Sequence, residues 1–312
     1  MPYNFGLLLL IMEVSLFVRA ENISAPHYVF KSAGNYPAAF QTFPDGANLS
    51  LIVGFFNPTT GNVHAYIQSG LPFSNGSVPR FEVAEPANSF SSYLFSVNSE
   101  GIATGGYCRL GTGCNGGELF AAHGYTYAYS SGAVTIIDYP GSMSTAAYGI
   151  NDKGVVVGGF CPTRIECPIG LALTSDHGFI DDDGVFTRLD FPGAGETTAF
   201  GINNSGTVVG IYANDVVQHS FSYENGVYTD MNFPGANWTD ATAINDLGVI
   251  VGYYQDANFN VNGFMYYQGQ WAQINVQPGN STAVSGINAH NDLVGTWTPN
   301  GRNGTFIAVP TK

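Results

Sequence analysis

One pattern of residues returns along nearly the whole chain, and a sequence that repeats at a near-constant step folds as repeats of one small unit. The pattern reads GINNSGTVVGIY at 201–212 and returns as SVNSEGIATGGY (96–107), YGINDKGVVVGGF (148–160), ATAINDLGVIVGYY (241–254) and SGINAHNDLVGTW (285–297). A worn copy, FPDGANLSLIVGFF, stands at 43–56. Each copy carries the chemistry of a hairpin: an aliphatic residue, an Asn that bonds its own turn, usually a Gly for positive φ, then a β-branched run. A second hairpin follows, as HGYTYAYSSGAVTIIDYPG (123–141), HGFIDDDGVFTRLDFPG (177–193), HSFSYENGVYTDMNFPG (219–235) and NGFMYYQGQWAQINVQPG (262–279), with a looser form from HAYIQSG (64–70). One repeat therefore predicts four short strands, A to D. The glycines Gly54, Gly105, Gly158, Gly210, Gly252 and Gly295 lie 42–53 residues apart, the length of one propeller blade.

The expected fold is all-β, a six-bladed β-propeller of four-stranded blades. The last repeat stops after a strand C at 303–310, while HYVFKSAGNYPAAF (27–40) has the form of a strand D without a blade. Residues 28–32 are thus expected to complete the last blade and to leave no unpaired edge there. Ahead of them, FGLLLLIMEVSLFV (5–18) is short, contains Glu13 and ends near Val18-Arg19-Ala20, as a cleaved secretory signal over 1–20 would. The mature chain, 21–312, is read as a single domain in the secretory lumen or outside the cell, with no membrane association after cleavage.

The net charge is −14, and only 10% of residues are charged. Such a surface repels phosphate backbones and anionic lipid, which argues against nucleic-acid and membrane-surface partners. Six sequons stand in expected loops or turns, at Asn22, Asn48, Asn75, Asn237, Asn280 and Asn303. A seventh, Asn203, sits where its side chain is needed for the turn. The four cysteines form two CX5C pairs, Cys108/Cys114 and Cys161/Cys167, each beginning just after the aromatic that ends strand B. Three connectivities are open, and pairing within each loop is the simplest. Zinc fits less well, because the spacing is too long and an oxidising compartment disfavours thiolates.

The two cysteine loops enlarge one rim, where the B–C and D–A loops meet. Strand A is innermost in a propeller, so its variable residues Phe95, Tyr148, Phe200, Thr242 and Ser285 are expected to look into a central hollow. The end of strand B offers Phe56, Tyr107, Phe160, Tyr212, Tyr254 and Trp297, which a repeat fold would use between blades. Among these, Tyr148, Phe200, Tyr254 and Trp297, together with Trp238, are the candidate substrate walls. His64, His123, His177 and His219 recur at the first position of strand C, and a residue so repeated is more often a structural device. His123 and His177, with Arg109 and Arg164 in the cysteine loops, are the candidate donors to a ligand. Asp181-Asp182-Asp183-Gly184 lacks calcium-ligand spacing and reads as a turn. No nucleophile elbow, zinc helix, phosphate loop or paired-cysteine redox motif is found, so no metal or cofactor is expected.

The repeated GINxxGxVVGxY, the following HGF and the terminal PGA resemble the HAF family of extracellular repeats over essentially the whole mature chain. With the signal, the sequons and the cysteine loops, the chain is also similar to the fungal hetero-Diels–Alderases of tropolonic sesquiterpenoid biosynthesis. That resemblance implies a cofactor-independent cycloaddition between a tropolone ortho-quinone methide and a humulene-type alkene, forming a dihydropyran from apolar small-molecule substrates. No site residue is carried over from it. A pericyclic step needs two apolar partners held at contact distance, worth up to roughly 7–11 kcal/mol of the barrier, and a donor to the developing oxygen charge. Two alternatives stand beside it: a secreted binding or scaffold propeller for glycans or surfaces, and a hydrolase or lyase using dispersed acids such as Asp240 and Glu196.

Overall fold

The computed structural model describes residues 28–32, 39–47, 51–58, 62–69, 80–109, 122–162, 177–214, 217–298 and 304–311. The candidate signal over 1–20, Asn22, Asn48, Asn75, Asn303, Cys114, Cys167 and Arg164 lie outside them. After β1 (Tyr28–Ser32), the chain lays down β2 (Ala39–Ala47), β3 (Leu51–Pro58), β4 (His64–Ser69) and β5 (Arg80–Val83) as a first sheet. The second sheet is β6 (Ser91–Val97), β7 (Ile102–Cys108), β8 (His123–Ala128) and β9 (Ala133–Ile137). The third is β10 (Ser144–Ile150), β11 (Val156–Cys161), β12 (His177–Asp182) and β13 (Val185–Leu189). The fourth is β14 (Glu196–Ile202), β15 (Val208–Asn214), β16 (Val217–Glu224) and β17 (Val227–Met231). The fifth is β18 (Trp238–Ile244), β19 (Ile250–Gln255), β20 (Val261–Tyr267) and β21 (Gln270–Ile274). The last holds β22 (Thr282–Ile287), β23 (Leu293–Trp297) and β24 (Gly304–Pro310), with β1 as its fourth strand.

The architecture is an all-β propeller of four-stranded blades. Within the described residues all neighbouring strands pair antiparallel, and β1 meets β24 in the register Tyr28↔Pro310 to Ser32↔Phe306. Phe30 sits edge-on to Phe306 at 5.5 Å, and the Tyr28 hydroxyl donates to the Asn291 carbonyl.

Each first strand carries a bulge at the same place. Ala147 pairs with Gly158 and Gly149 with Val157, so Tyr148 is left without a partner. Phe95, Phe200, Thr242 and Ser285 are skipped in the same way in β6, β14, β18 and β22. A bulge bends its strand and re-aims the extra side chain. The glycine opposite is required by contact rather than by conformation. A Cβ on Gly105, Gly158, Gly210, Gly252 or Gly295 would drive into the carbonyl oxygen of Tyr93, Ala146, Thr198, Asp240 or Ala283. The recurring glycine of the sequence is therefore the floor on which the bulged strand rests.

The turn asparagines do two jobs. Asn98, Asn151, Asn203, Asn245 and Asn288 are all buried, and each side-chain oxygen accepts the backbone N–H groups two and four residues on. The amides of the first four donate onward to the backbone carbonyl of the next asparagine, at 3.0–3.3 Å. A ladder of side-chain bonds thus ties neighbouring blades at one face. Asn203, though in a sequon, spends its amide nitrogen on the Asn245 carbonyl. In the last of these turns Asn291 takes the positive φ (64°) that Gly supplies in the others.

Aromatic stacking ties the blades at the other rim. Tyr139, Phe191 and Phe233, each just after a fourth strand, lie flat on Phe160, Tyr212 and Tyr254 of the next blade at 3.6–3.7 Å. Among the described residues, no helix is long and apolar enough to cross a membrane.

Two outcomes are expected from this architecture. A Phe30→Ala chain should lose about 2 kcal/mol in denaturant unfolding, below the full-burial range because the ring is half-buried, and a chain starting after Ser32 should lose more. Asn203→Ala removes the acceptor of two turn amides and a donor to Asn245, and should cost about 2–3 kcal/mol by the same measurement.

Candidate functional site

The bulged residues converge on a central chamber of about 260 Å3. Phe55, Phe95, Tyr148, Phe200 and Tyr253 supply its aromatic lining. Rings follow one another along one side: Phe55 on Tyr93 at 4.8 Å, Tyr93 on Phe95 at 6.0 Å, Phe95 on Tyr148 at 4.8 Å and Tyr148 on Phe200 at 5.0 Å. On the opposite side the bulge positions carry Thr242 and Ser285, with Tyr253 beside them in the lining. The chamber is therefore aromatic on one side, while on the other Thr242 spends its hydroxyl on the backbone carbonyls of Val251 and Val284. Val97, Ile150, Ile202, Ile244 and Ile287 form its floor, and these same residues roof a smaller hollow of about 120 Å3 bounded by the turn asparagines.

The phenols keep their protons. Burial pushes Tyr148 well above the usual tyrosine range and Tyr93 up to about 12, so at neutral pH each hydroxyl remains a hydrogen-bond donor.

One corner departs from the rest. Asp240, third residue of β18, is buried and sits cross-strand from Tyr253 of β19. Gln218 donates to its Oδ1 at 2.8 Å. Loss of hydration pushes the carboxyl up to about 7, partly offset by Tyr253. Trp238 stands edge-on to the Tyr253 ring at 5.8 Å and backs it from the start of the same strand as Asp240. Glu196, at the equivalent start of β14, is also raised by burial.

The expected site residues divide by position. Tyr148 and Phe200 line the chamber, and Trp238 touches it through Tyr253. Tyr254 does not line it: its ring stacks on Phe233 between blades at 3.7 Å. Trp297 is absent from the lining too and packs over Gly304 in the last sheet. The reason is the period of two along a strand. Counting from Gly252, on which the first strand of its blade rests, the next residue, Tyr253, lines the chamber and the second, Tyr254, faces the neighbouring blade. Phe55 and Tyr253 were legible on that count, since they follow Gly54 and Gly252 where other repeats have Gly106, Gly159, Ile211 or Thr296.

Of the proposed donors, His123, His177 and Arg109 are absent from the chamber lining. His123 Nδ1 meets Asp138 at 2.9 Å and His177 Nδ1 meets Asp190 at 2.7 Å, as His64 meets Glu85 and His219 meets Asn232. Each imidazole also packs against the aromatic ending the second strand, at 5.2–5.6 Å. The four are pins at the rim. Arg109 donates to the Tyr107 hydroxyl at 3.3 Å and lies over that ring. Cys108 and Cys161 are buried and disulfide-bonded. Asp181 accepts from the Gly184 amide in a tight turn with Asp183 at φ 52°. Asn237 is exposed and Asn280 half-buried, each in a turn. Among the described residues no three His, Cys, Asp or Glu side chains are placed to hold a metal ion.

No protein-family model matches the chain, and no curated protein matches it. Among solved structures it is similar to TolB from Acinetobacter baumannii, with TM-score 0.51 and 12% identity over 83% of this chain and 63% of that one. It is also similar to Trypanosoma rangeli sialidase, with TM-score 0.51 and 10% identity over 91% of this chain and 59% of that one. The β-propeller domain of the Trilobed protease from Pyrococcus furiosus follows at TM-score 0.49 and 10% identity, over 86% and 84%. The chain spans less than two thirds of the first two. At such identities the likeness is one of fold, and it sets the chain among the β-propeller proteins.

The buried carboxyl yields a signed outcome. Its folded value near 7 lies above the ordinary 3.8, so the fold favours the neutral form, and stability falls as pH rises through that window. Asp240→Asn should remove this slope. Compared by denaturant unfolding, the wild type should lose stability relative to the variant between about pH 4 and pH 7, by on the order of 3–4 kcal/mol.

Proposed function

We propose that the chain is a secretory-pathway hetero-Diels–Alderase that joins a tropolone ortho-quinone methide to a humulene-type alkene inside the central chamber. The reading takes the six sheets as one closed six-bladed ring, completed by β1, with β2 packed against β22 and β23. It takes 1–20 as a cleaved signal, with the two CX5C loops each closed by its own disulfide and glycans on the loop sequons. The observation that carries it is the two-sided chamber: a run of rings through Phe95, Tyr148 and Phe200 facing a side that carries Thr242, Ser285 and Tyr253.

A cycloaddition of this kind forms one C–C and one C–O bond as electron pairs shift in a ring, and no proton moves. The chain therefore needs to enclose, orient and polarise. Phe95, Tyr148 and Phe200 offer flat faces against which a planar dienone and an alkene can be pressed together. Tyr148 and Tyr253 stand in the lining, and a phenol there suits donation to the quinone-methide oxygen as it gains negative charge. At about 260 Å3 the chamber lies just under the usual range for small-molecule sites, so it suits the reacting ends rather than the whole adduct. The rim histidines, engaged with carboxylates and with Asn232, are left out of this mechanism.

The test is incubation of purified protein with a quinone-methide precursor and humulenol. One dihydropyran stereoisomer should dominate over the uncatalysed mixture. Phe200→Ala should lower the rate about tenfold or more and erode the stereochemistry, through lost positioning. Product identical to the uncatalysed mixture, from protein that still binds the alkene, would favour the non-catalytic binding propeller.

A further inference from the structure

A second cavity, of about 400 Å3, lies between the fourth and fifth sheets and is larger than the central chamber. Buried Met231, Ile244 and Ile250, all of one core cluster, make its floor, and exposed Thr229, Asp246 and Leu247 stand at its mouth. Two cross-strand pairs line it: Ser222 with Thr229 on β16 and β17, and Tyr266 with Trp271 on β20 and β21. The space traces to one departure among the repeats. Ser222 follows Phe221, whereas Ile67, Thr126, Ile180, Met265 and Ile307 stand at the same place in the other five. Between the third and fourth sheets Ile180 packs into the core beside Tyr223 and Tyr228, the counterparts of Tyr266 and Trp271. Serine gives that volume up. Trp271 is itself held edge-on by Phe233 at 5.5 Å and Phe264 at 5.1 Å, so its ring is oriented before any guest arrives.

The lining selects its guest by chemistry. Its charged residues are Asp230 and Asp246, with no lysine, arginine or histidine among the described residues there, so an anionic guest is repelled. Both carboxylates are already engaged. Asn204 donates to the two oxygens of Asp246 through its backbone and side-chain amides at 2.7 Å, and Asp230 accepts from Tyr212 and Asn232, so a cation finds no carboxylate left for it alone. The hydroxyls of Ser222 and Thr229, by contrast, bond no other described residue. A hydroxyl both gives a proton and accepts one, and the guest that answers in kind is a polyol. We propose that this cavity is a binding site for a neutral pyranose, whose hydroxyls meet Ser222 and Thr229 and whose C–H face lies on Trp271 and Tyr266. A volume of 400 Å3 falls within the range of about 300–1,000 Å3 usual for small-molecule sites. None of these four side chains lines the chamber, so the sugar site and the cycloaddition stand or fall separately.

The test uses the full chain labelled with 5-fluorotryptophan, and the methyl glycosides of glucose, galactose, mannose and fucose as probes, with choline as the cationic control. Trp238, Trp271 and Trp297 are its three tryptophans, so the fluorine spectrum holds three resonances, and Trp271→Phe identifies the one that matters. At least one glycoside should shift the Trp271 resonance saturably and leave the other two in place. Thr229→Ala should weaken that binding about fivefold, the worth of one hydrogen bond. Ser222→Ile, which restores the aliphatic residue of other repeats, should abolish it. No saturable shift with any of the four glycosides up to about 50 mM, well beyond a weak millimolar site, would overturn the proposal. A Trp271 shift with choline alone would overturn it in favour of a cation site, and a sugar response that survives Ser222→Ile would place the sugar elsewhere. Thr229 is exposed, so Thr229→Ala keeps the site testable should Ser222→Ile fail to fold.

Discussion

A carbonyl oxygen of each bulged first strand rests directly on a glycine of the second, and the interior of this molecule is arranged by that contact. Because nothing larger than hydrogen fits beneath the oxygen, the first strand comes close and kinks there, and its extra residue turns toward the centre. In this way every blade but the first, whose bulged side chain is not described, delivers one chosen side chain to the chamber. The backbone device is constant; the side chain it aims is not. Three deliver Phe95, Tyr148 and Phe200, two deliver Thr242 and Ser285, and a fold with near-equivalent blades thereby acquires a two-sided interior.

What holds the blades beside one another is also local chemistry used twice. An Asn that completes its own turn has an amide to spare, and that amide reaches the next turn. A histidine at or near the start of the third strand lies against the aromatic near the end of the second, while its ring nitrogen is held by a carboxylate or, at His219, by Asn232. Such repetition explains why residues that look catalytic in the sequence, His123 and His177 above all, are framework. Chemistry is to be sought where the repeats disagree.

They disagree most at Asp240 and Tyr253. At Asp240's place other repeats put Tyr93, Ala146, Thr198 and Ala283, and at Tyr253's place Gly106, Gly159, Ile211 and Thr296. Two departures in one repeat, facing each other across a strand pair, put a carboxyl with little hydration behind a phenol on the chamber wall. A repeat protein can change its interior at one corner without disturbing the bonds that hold the blades together.

Strand number, turn chemistry, the pairing of 28–32 with the last repeat and the five bulge positions facing inward were all legible in the sequence, because each rests on contacts within one repeat or between neighbours. Tyr254 and Trp297 were assigned to the wrong face, since the count of two along a strand needs an origin, and the bulge that resets it is invisible until strands are paired. The buried Asp240 next to Tyr253 likewise reads as one dispersed acid among many until the register of β18 against β19 brings them together. Local propensity and periodicity thus set what each repeat is. Only the tertiary arrangement decided which side chains share the central chamber, since that depends on distances between strands that no single repeat contains.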